Sequence, residues 1–293
     1  MAAGAHPTSA LTARRTWRTL EPLHGMIYFA PESAASYTAL GLPQEAGYFA
    51  SRSAPMGAVA AETVVATFFN FAPSLVRAAI PRAWEAAPPL AVVAARLAAA
   101  DAALRRMLGD AVGSAEMARA AEMARRAAER AGERYEGRPL FAGHAGLPWP
   151  DEPHLVLWHA QTLLREFRGD GHVATLLRRG ITPVEALVLH VASGEVPLPF
   201  LRDTRGWSSD QWTAGTESAR DRGWLTDSPG DDDPAAPPAL SPLGLELRQE
   251  IEETTDRLAT WPYEALGDEA CAELRTLARA FSRAVVDAAG LGF

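Results

Sequence analysis

The stretch 148-PWPDEPHLVLWHAQTLLREFRGDGHVATLLRR-179 brings Trp, His, Glu, Asp and Arg side chains together in one largely apolar run. From His154 onward the apolar positions recur at the spacing of a mostly buried α-helix. Pro150 and Pro153 fit the first turn of such a helix, where a missing backbone N–H costs little. The sequence therefore predicts a buried helix that carries titratable groups.

The helical period, about 100° per residue, sorts these groups into two neighbouring stripes. The first stripe carries His159, Glu166 and Asp170. The second carries Trp158, Arg165 and His172, with Arg168 beside it. Because Gly169 and Gly171 flank Asp170, we expect the helix to break there, with Asp170 capping a shorter helix from Gly171 to Arg179.

Charged groups on a buried helix must be paired, and two interpretations follow from that requirement. The first is an ion-pair lock that orients helices. The second is the polar floor of a pocket, in which carboxylate and imidazole exchange protons and an arginine clamps an anion. The catalytic candidates are Glu166 and Asp170 as base, and His159 and His172 as acid or proton shuttle. The ligand-binding candidates are Arg165, Arg168, His24, Tyr28 and Trp158.

Composition narrows the classes of function. The chain has 293 residues and a net charge of −8, and all 28 of its basic residues are Arg. Without Lys, a Schiff-base lysine and a phosphate-loop lysine are excluded. Cys271 is the one cysteine, so the chain forms no internal disulfide, which fits the cytoplasm. We expect no cofactor, because no phosphate-cradling glycine loop is present, and no membrane span.

The expected partner is a small-molecule ligand or substrate. The negative charge disfavours nucleic acid without excluding it, and a homodimer is left open. A metal site is a further alternative, since the ligand types His154, His159, Glu166, Asp170 and His172 are present. No HExxH pair supports a metal, and we predict none.

The order of elements predicts an all-α protein with a C-terminal winged helix-turn-helix that contains a small β-hairpin. Thr182-Pro-Val-Glu185 has the form of a capping box at a helix start. Short strands are expected at residues 224–226 and 239–241, before a long helix from Pro242. We divide the chain into a disordered tail (residues 1–12), a helical ligand-pocket domain (13–180) and a winged-helix-like domain with C-terminal helices (181–293).

Several segments resemble known families. TPVEALVLHVASGE, ESARDRGWLTD and ALSPLGLELRQEIEE are similar to the first helix, the end of the recognition helix and the last-helix entry of MarR-type regulators. EPLHGMIYFAPE, YFASRSAPMG, FFNFAP and LREFRGDGH resemble a family of helix-turn-helix-labelled proteins from high-GC bacteria. The resemblance implies a helical N-terminal region fused to a winged helix, and it carries over no catalytic residue.

The expected wing departs from a DNA-reading one, because it holds Asp227 and Asp231 to Asp233 and no basic residue. The expected function is therefore small-molecule binding in bacterial specialised metabolism, which includes a cofactor-independent enzyme for proton transfer, isomerisation, cyclisation or hydrolysis. The alternative is a ligand-responsive MarR-like transcriptional regulator.

Overall fold

The computed structural model describes residues 8–226 and 239–289, and in these residues the chain is almost entirely helical. The α-helices are α1 (Ala10–Gly25), α2 (Pro31–Ala39), α3 (Gly47–Ser53), α4 (Ala61–Phe68), α5 (Pro73–Ala86), α6 (Pro89–Leu108), α7 (Ala115–Ala131), α8 (Pro139–Ala145), α9 (Pro153–Arg178), α10 (Pro183–Ala192), α11 (Leu198–Arg205), α12 (Ser209–Asp221), α13 (Pro242–Leu258) and α14 (Gly267–Ala289). Short 3-10 helices cover Met26–Tyr28, Gln44–Ala46, Ala54–Met56, Gly109–Gly113 and Trp261–Ala265. The all-α prediction is confirmed.

Two compact units divide the chain. Unit 1 comprises Met1–Ala60, Ala79–Gly171 and Asp256–Phe293, and unit 2 comprises Ala61–Ala78 and His172–Thr255. Each unit is assembled from segments that are separated in the sequence. The predicted division at residue 180 instead gives two continuous domains. The functional division at residue 180 stays a prediction.

The N-terminus enters the fold earlier than expected. Helix α1 begins at Ala10, with the Ser9 side chain capping it, and the buried Thr8 hydroxyl donates to the carbonyl of Tyr263 at 3.2 Å. Residues 10–12 are therefore helical, although the sequence assigned them to a tail. Residues 1–7 of that expected tail lie outside the described residues.

The core of unit 1 is built by apolar faces of α1, α6, α7, α9 and α14. Helix α7 shows the pattern most simply: its Ala and Met positions are buried, while Arg125 and Glu129 pair at 2.8 Å on its outer face. Cys271 on α14 is fully buried, and burial raises the pKa of its thiol to about 11.

Helix α9 is continuous from Pro153 to Arg178, so the predicted break at Gly169 and Gly171 is wrong. Two interior glycines cost a helix roughly 1 kcal/mol each relative to alanine. Burial along α9 outweighs that cost. The absence of a side chain at Gly171 also lets Arg138 pack closely against α9, because a Cβ at Gly171 would lie 3.0 Å from Nη1 of Arg138.

Unit 2 contains the predicted hairpin. Its helix α10 begins with the expected capping box of Thr182 and Glu185. Strands β1 (Leu225–Thr226) and β2 (Ala239–Leu240) pair antiparallel, with Leu225 opposite Leu240. The acidic wing residues Asp227 and Asp231 to Asp233 lie outside the described residues.

Among the described residues, no single helix combines the length and apolar character needed to cross a bilayer. The bent pair Pro73–Ala86 and Pro89–Gly113 reaches those limits by length and composition only.

Candidate functional site

A buried ion-pair cluster in unit 1 surrounds Glu166, which is 1 % exposed. Arg52 of α3 binds both carboxylate oxygens of Glu166, with Nε at 3.3 Å and Nη2 at 2.8 Å. Arg165 adds a contact of 3.2 Å and also reaches Glu21 of α1 at 2.8 Å. Burial alone would raise the pKa of Glu166, but the charges of Arg52 and Arg165 lower it to about 2. The carboxylate is therefore ionised, and each of its oxygens accepts at least one hydrogen bond from an arginine.

A chain of hydrogen bonds lies beside this cluster. The buried His24 ring meets the hydroxyl of Thr162 at 2.9 Å and that of Tyr28 at 2.8 Å. It also lies nearly parallel to Trp158, with ring centroids 6.1 Å apart. Burial, reinforced by Arg165 and other arginines, lowers the pKa of His24 well below its ordinary value, so its ring is neutral at pH 7.

A small cavity of about 70 Å³ lies in the same unit, between α6, the segment after α8 and the start of α9. Its polar lining comes from Arg96, His144, Trp158 and His159. Its other walls are apolar and include Val93 and Leu97. The cavity therefore offers a few polar groups within an apolar shell, which is the usual make-up of a ligand site.

Arg96 is the exceptional group in this cavity, because no carboxylate of the described residues pairs with it, and its guanidinium instead lies over the Trp158 ring, 5.4 Å from the ring centroid. It is 3 % exposed, and its Nη1 donates to the Ser51 carbonyl at 2.9 Å. Its Nε and Nη2 have no hydrogen-bond partner in the described part of the chain. The buried Nε1 of Trp158 and Nε2 of His159 are also without partners among these residues. Buried donors of this kind are costly unless a ligand or water satisfies them.

The two cavity histidines are neutral at pH 7. Burial and then the charge of Arg96 lower the pKa of His144 to about 3 and that of His159 to about 4. The sequence candidates His24, Tyr28, Trp158, His159, Arg165 and Glu166 thus lie within the cluster or the cavity lining. Arg52 and Arg165 are paired with Glu166 and Glu21, whereas Arg96 has no ion pair among the described residues.

Three candidates have other hydrogen-bond or ion-pair partners. Arg168 pairs with Asp256 at 2.6 Å. The carboxylate of Asp170 accepts a hydrogen bond of 2.9 Å from the backbone N–H of Phe141. Burial raises the pKa of Asp170 to about 7. His172 belongs to unit 2, where its Nδ1 lies 3.1 Å from the hydroxyl of Thr255. His172 is not among the residues that line the cavity of unit 1, and its catalytic role stays a prediction.

Sequence reasoning missed Arg52, Arg96 and His144. Arg52 and His144 lie in the seven-residue helices α3 and α8, which are too short to show a clear apolar period. The helix of Arg96 does show one: this residue interrupts the Ala-rich face of α6, four residues after the buried Val92 and three before the buried Ala99. An arginine on the apolar face of a helix needs a partner when buried, and none follows from the local sequence.

Within residues 8–226 and 239–289, no group of three or more His, Cys, Asp or Glu side chains could hold a metal ion. A search among curated proteins returned no significant match, and neither did a search among solved structures. The model of a helix-turn-helix family matches residues 13–292 of the 293-residue chain. The chain therefore belongs to this helix-turn-helix family.

Proposed function

We propose that the protein binds a small organic anion in the cavity of unit 1, with Arg96 as the anion-binding residue. The observation that carries the proposal is the buried guanidinium of Arg96, which has two unpaired donors and no ion pair among the described residues. A buried charge normally has a partner. An anionic ligand supplies that partner and also meets the unpaired donors of Trp158 and His159.

The ion-pair cluster beside the cavity favours a protein that binds an anion over an enzyme in which Glu166 abstracts a proton. A carboxylate with a pKa of about 2 is a weak base at neutral pH. Held by Arg52 and Arg165, Glu166 is suited to fix α3 against α9. Proton transfer by His159 to or from a bound ligand is the enzymatic form of the same proposal.

The test compares the wild type with Arg96→Met, which keeps an unbranched stem and removes the charge. A panel of small organic anions is added while the melting temperature is recorded. A ligand at about 100 times its Kd stabilises by about 2.7 kcal/mol, which corresponds to roughly 5–10 °C at this size. We expect that rise in the wild type and in Arg105→Gln, which changes an exposed arginine of the same helix, and not in Arg96→Met.

The proposal fails if no anion raises the melting temperature of the wild type by more than it raises that of Arg96→Met. We also expect ligand-free Arg96→Met to melt no lower than the wild type, since removing an uncompensated buried charge relieves a cost.

A DNA-binding regulator is the second candidate. The family match favours it, and the order α10, α11, α12, β1, β2, α13 is consistent with the winged helix that the sequence predicts. The exposed face of α12, the recognition helix of that arrangement, opposes it. This face carries Asp210, Glu217 and Asp221 against Arg220. DNA phosphates favour the opposite balance, so we rank this function second.

A further inference from the structure

We propose that the anion is a monocarboxylate with a short apolar body, bound side-on by the Nε and Nη2 edge of Arg96. This inference rests on the proposed function, because it names the ligand class of the same cavity.

The two unpaired nitrogens of Arg96 lie on the same edge of its guanidinium group. Nη1 of Arg96 already donates to the Ser51 carbonyl. Nε and Nη2 lie on one edge of the guanidinium, and their N–H bonds point in parallel. Such a fork matches the two oxygens of a carboxylate, one oxygen to each nitrogen. A single-atom anion engages this edge less completely.

The same chain uses this edge for carboxylates at other places. Arg52 holds Glu166 through Nε at 3.3 Å and Nη2 at 2.8 Å, with one oxygen on each nitrogen. Arg119 holds Glu273 in the same way, at 2.9 Å and 3.4 Å. Arg96 presents the same edge, and no carboxylate of the described residues meets it.

The other cavity groups set the charge and the number of acceptors. A carboxylate has about four lone-pair sites. Two go to Arg96, which leaves two for the indole N–H of Trp158 and for His159 in the tautomer that carries its proton on Nε2. One uncompensated arginine is neutralised by one negative charge, so a dianion such as sulfate or hydrogen phosphate would bring a second charge into an apolar shell.

The size of the cavity limits the body of the ligand. A volume of about 70 Å³ holds roughly five waters. An acid of about two to four carbons fills such a space. Val93 and Leu97 line it with hydrocarbon, so the body beyond the carboxylate is apolar.

The experiment titrates the purified full-length protein, at constant ionic strength and pH 7, with acetate, propionate, butyrate, benzoate, chloride, sulfate and phosphate. Calorimetry gives the Kd, and melting temperature gives an independent reading. We expect the short monocarboxylates to bind tightest and benzoate, sulfate and phosphate to bind at least about tenfold more weakly.

Arg96→Lys separates the fork from the charge, because lysine keeps the charge and lacks two parallel donors. Loss of one charge-assisted hydrogen bond corresponds to about tenfold or more in Kd. We expect that weakening for propionate in Arg96→Lys and none in Arg105→Gln.

The outcomes separate the two proposals. Equal binding of propionate and inorganic anions, all dependent on Arg96, would overturn the carboxylate inference and leave anion binding standing. Unchanged propionate affinity in Arg96→Lys would overturn the side-on geometry. No binding by any anion in the panel would overturn both proposals.

Discussion

Glu166 and its arginines decide the stability of the buried cluster. Glu166→Gln keeps the shape of the side chain and leaves the buried guanidinium of Arg52 without a carboxylate, whereas Arg165 keeps its pair with Glu21. Breaking a buried pair costs about 3–5 kcal/mol, so we expect a loss of that order at pH 7 in urea denaturation. Glu122→Gln, which removes an exposed carboxylate paired with Arg119, is the control and should change stability by less than about 1 kcal/mol.

The effect of Glu166→Gln also depends on pH. The folded pKa of Glu166 is about 2, below its ordinary 4.5. The stability that ionised Glu166 contributes is therefore complete above about pH 4.5 and is lost as the pH falls towards 2. The difference between wild type and variant should shrink steadily over that interval. A variant as stable as the wild type at pH 7 would contradict a structural role for the cluster.

Sequence reasoning at this scale named both residues of the Arg165–Glu166 contact and only one residue of the Arg52–Glu166 contact. The period of α9 placed His159 and Glu166 on a shared stripe and predicted that buried charges would be paired. It offered no way to identify Arg52, which is 114 residues away in the chain. Helical periodicity reports which face a residue occupies and carries no information about which distant segment packs on that face.

At the scale of the element, the two glycines of α9 make a matched pair of tests. A Cβ at Gly169 would meet Oε2 of Glu166 at 3.7 Å, an ordinary contact, whereas one at Gly171 would lie 3.0 Å from Arg138. Gly169→Ala should therefore stabilise the protein by roughly 0.5–1 kcal/mol. Gly171→Ala should gain less or lose stability. The midpoint of urea unfolding measures both, and a loss in Gly169→Ala would contradict an unbroken helix.

The helices and the hairpin were largely predictable because apolar spacing, capping boxes and glycine ends are local signals. The prediction of a helix break at residues 169–171 is wrong because it considers only the low helix propensity of glycine and not the packing of the buried helix. Tertiary contacts along a buried helix exceed the cost of two glycines, and no local pattern reports them.

At the scale of the whole molecule, charge predicts weak binding to DNA. The net charge is −8, and the exposed face of α12 is acidic. We expect a Kd for random duplex DNA no tighter than the ~10⁻⁴ M end of the non-specific range at ~0.15 M salt. Fluorescence anisotropy with a labelled duplex measures it. A tight complex that weakens steeply with salt would favour the regulator over the anion-binding protein.

The division of the molecule was the least predictable feature. Residues 61–78 belong to unit 2, and residues 256–293 return to unit 1. Composition changes little along these segments, and no linker marks the crossings. Assignment of a segment to a unit depends on contacts between residues far apart in sequence. These contacts cannot be predicted from one amino-acid sequence by local patterns.

The one thiol of the protein is a built-in reporter of opening. Cys271 is fully buried on α14, and only its thiolate attacks an alkylating reagent. Alkylation therefore requires that the surrounding helices part, and the rate of modification under native conditions counts those events. The chain has no second cysteine, so each alkylated molecule shows a single mass shift. Intact-protein mass spectrometry would therefore measure the rate at which this core opens, without an engineered probe.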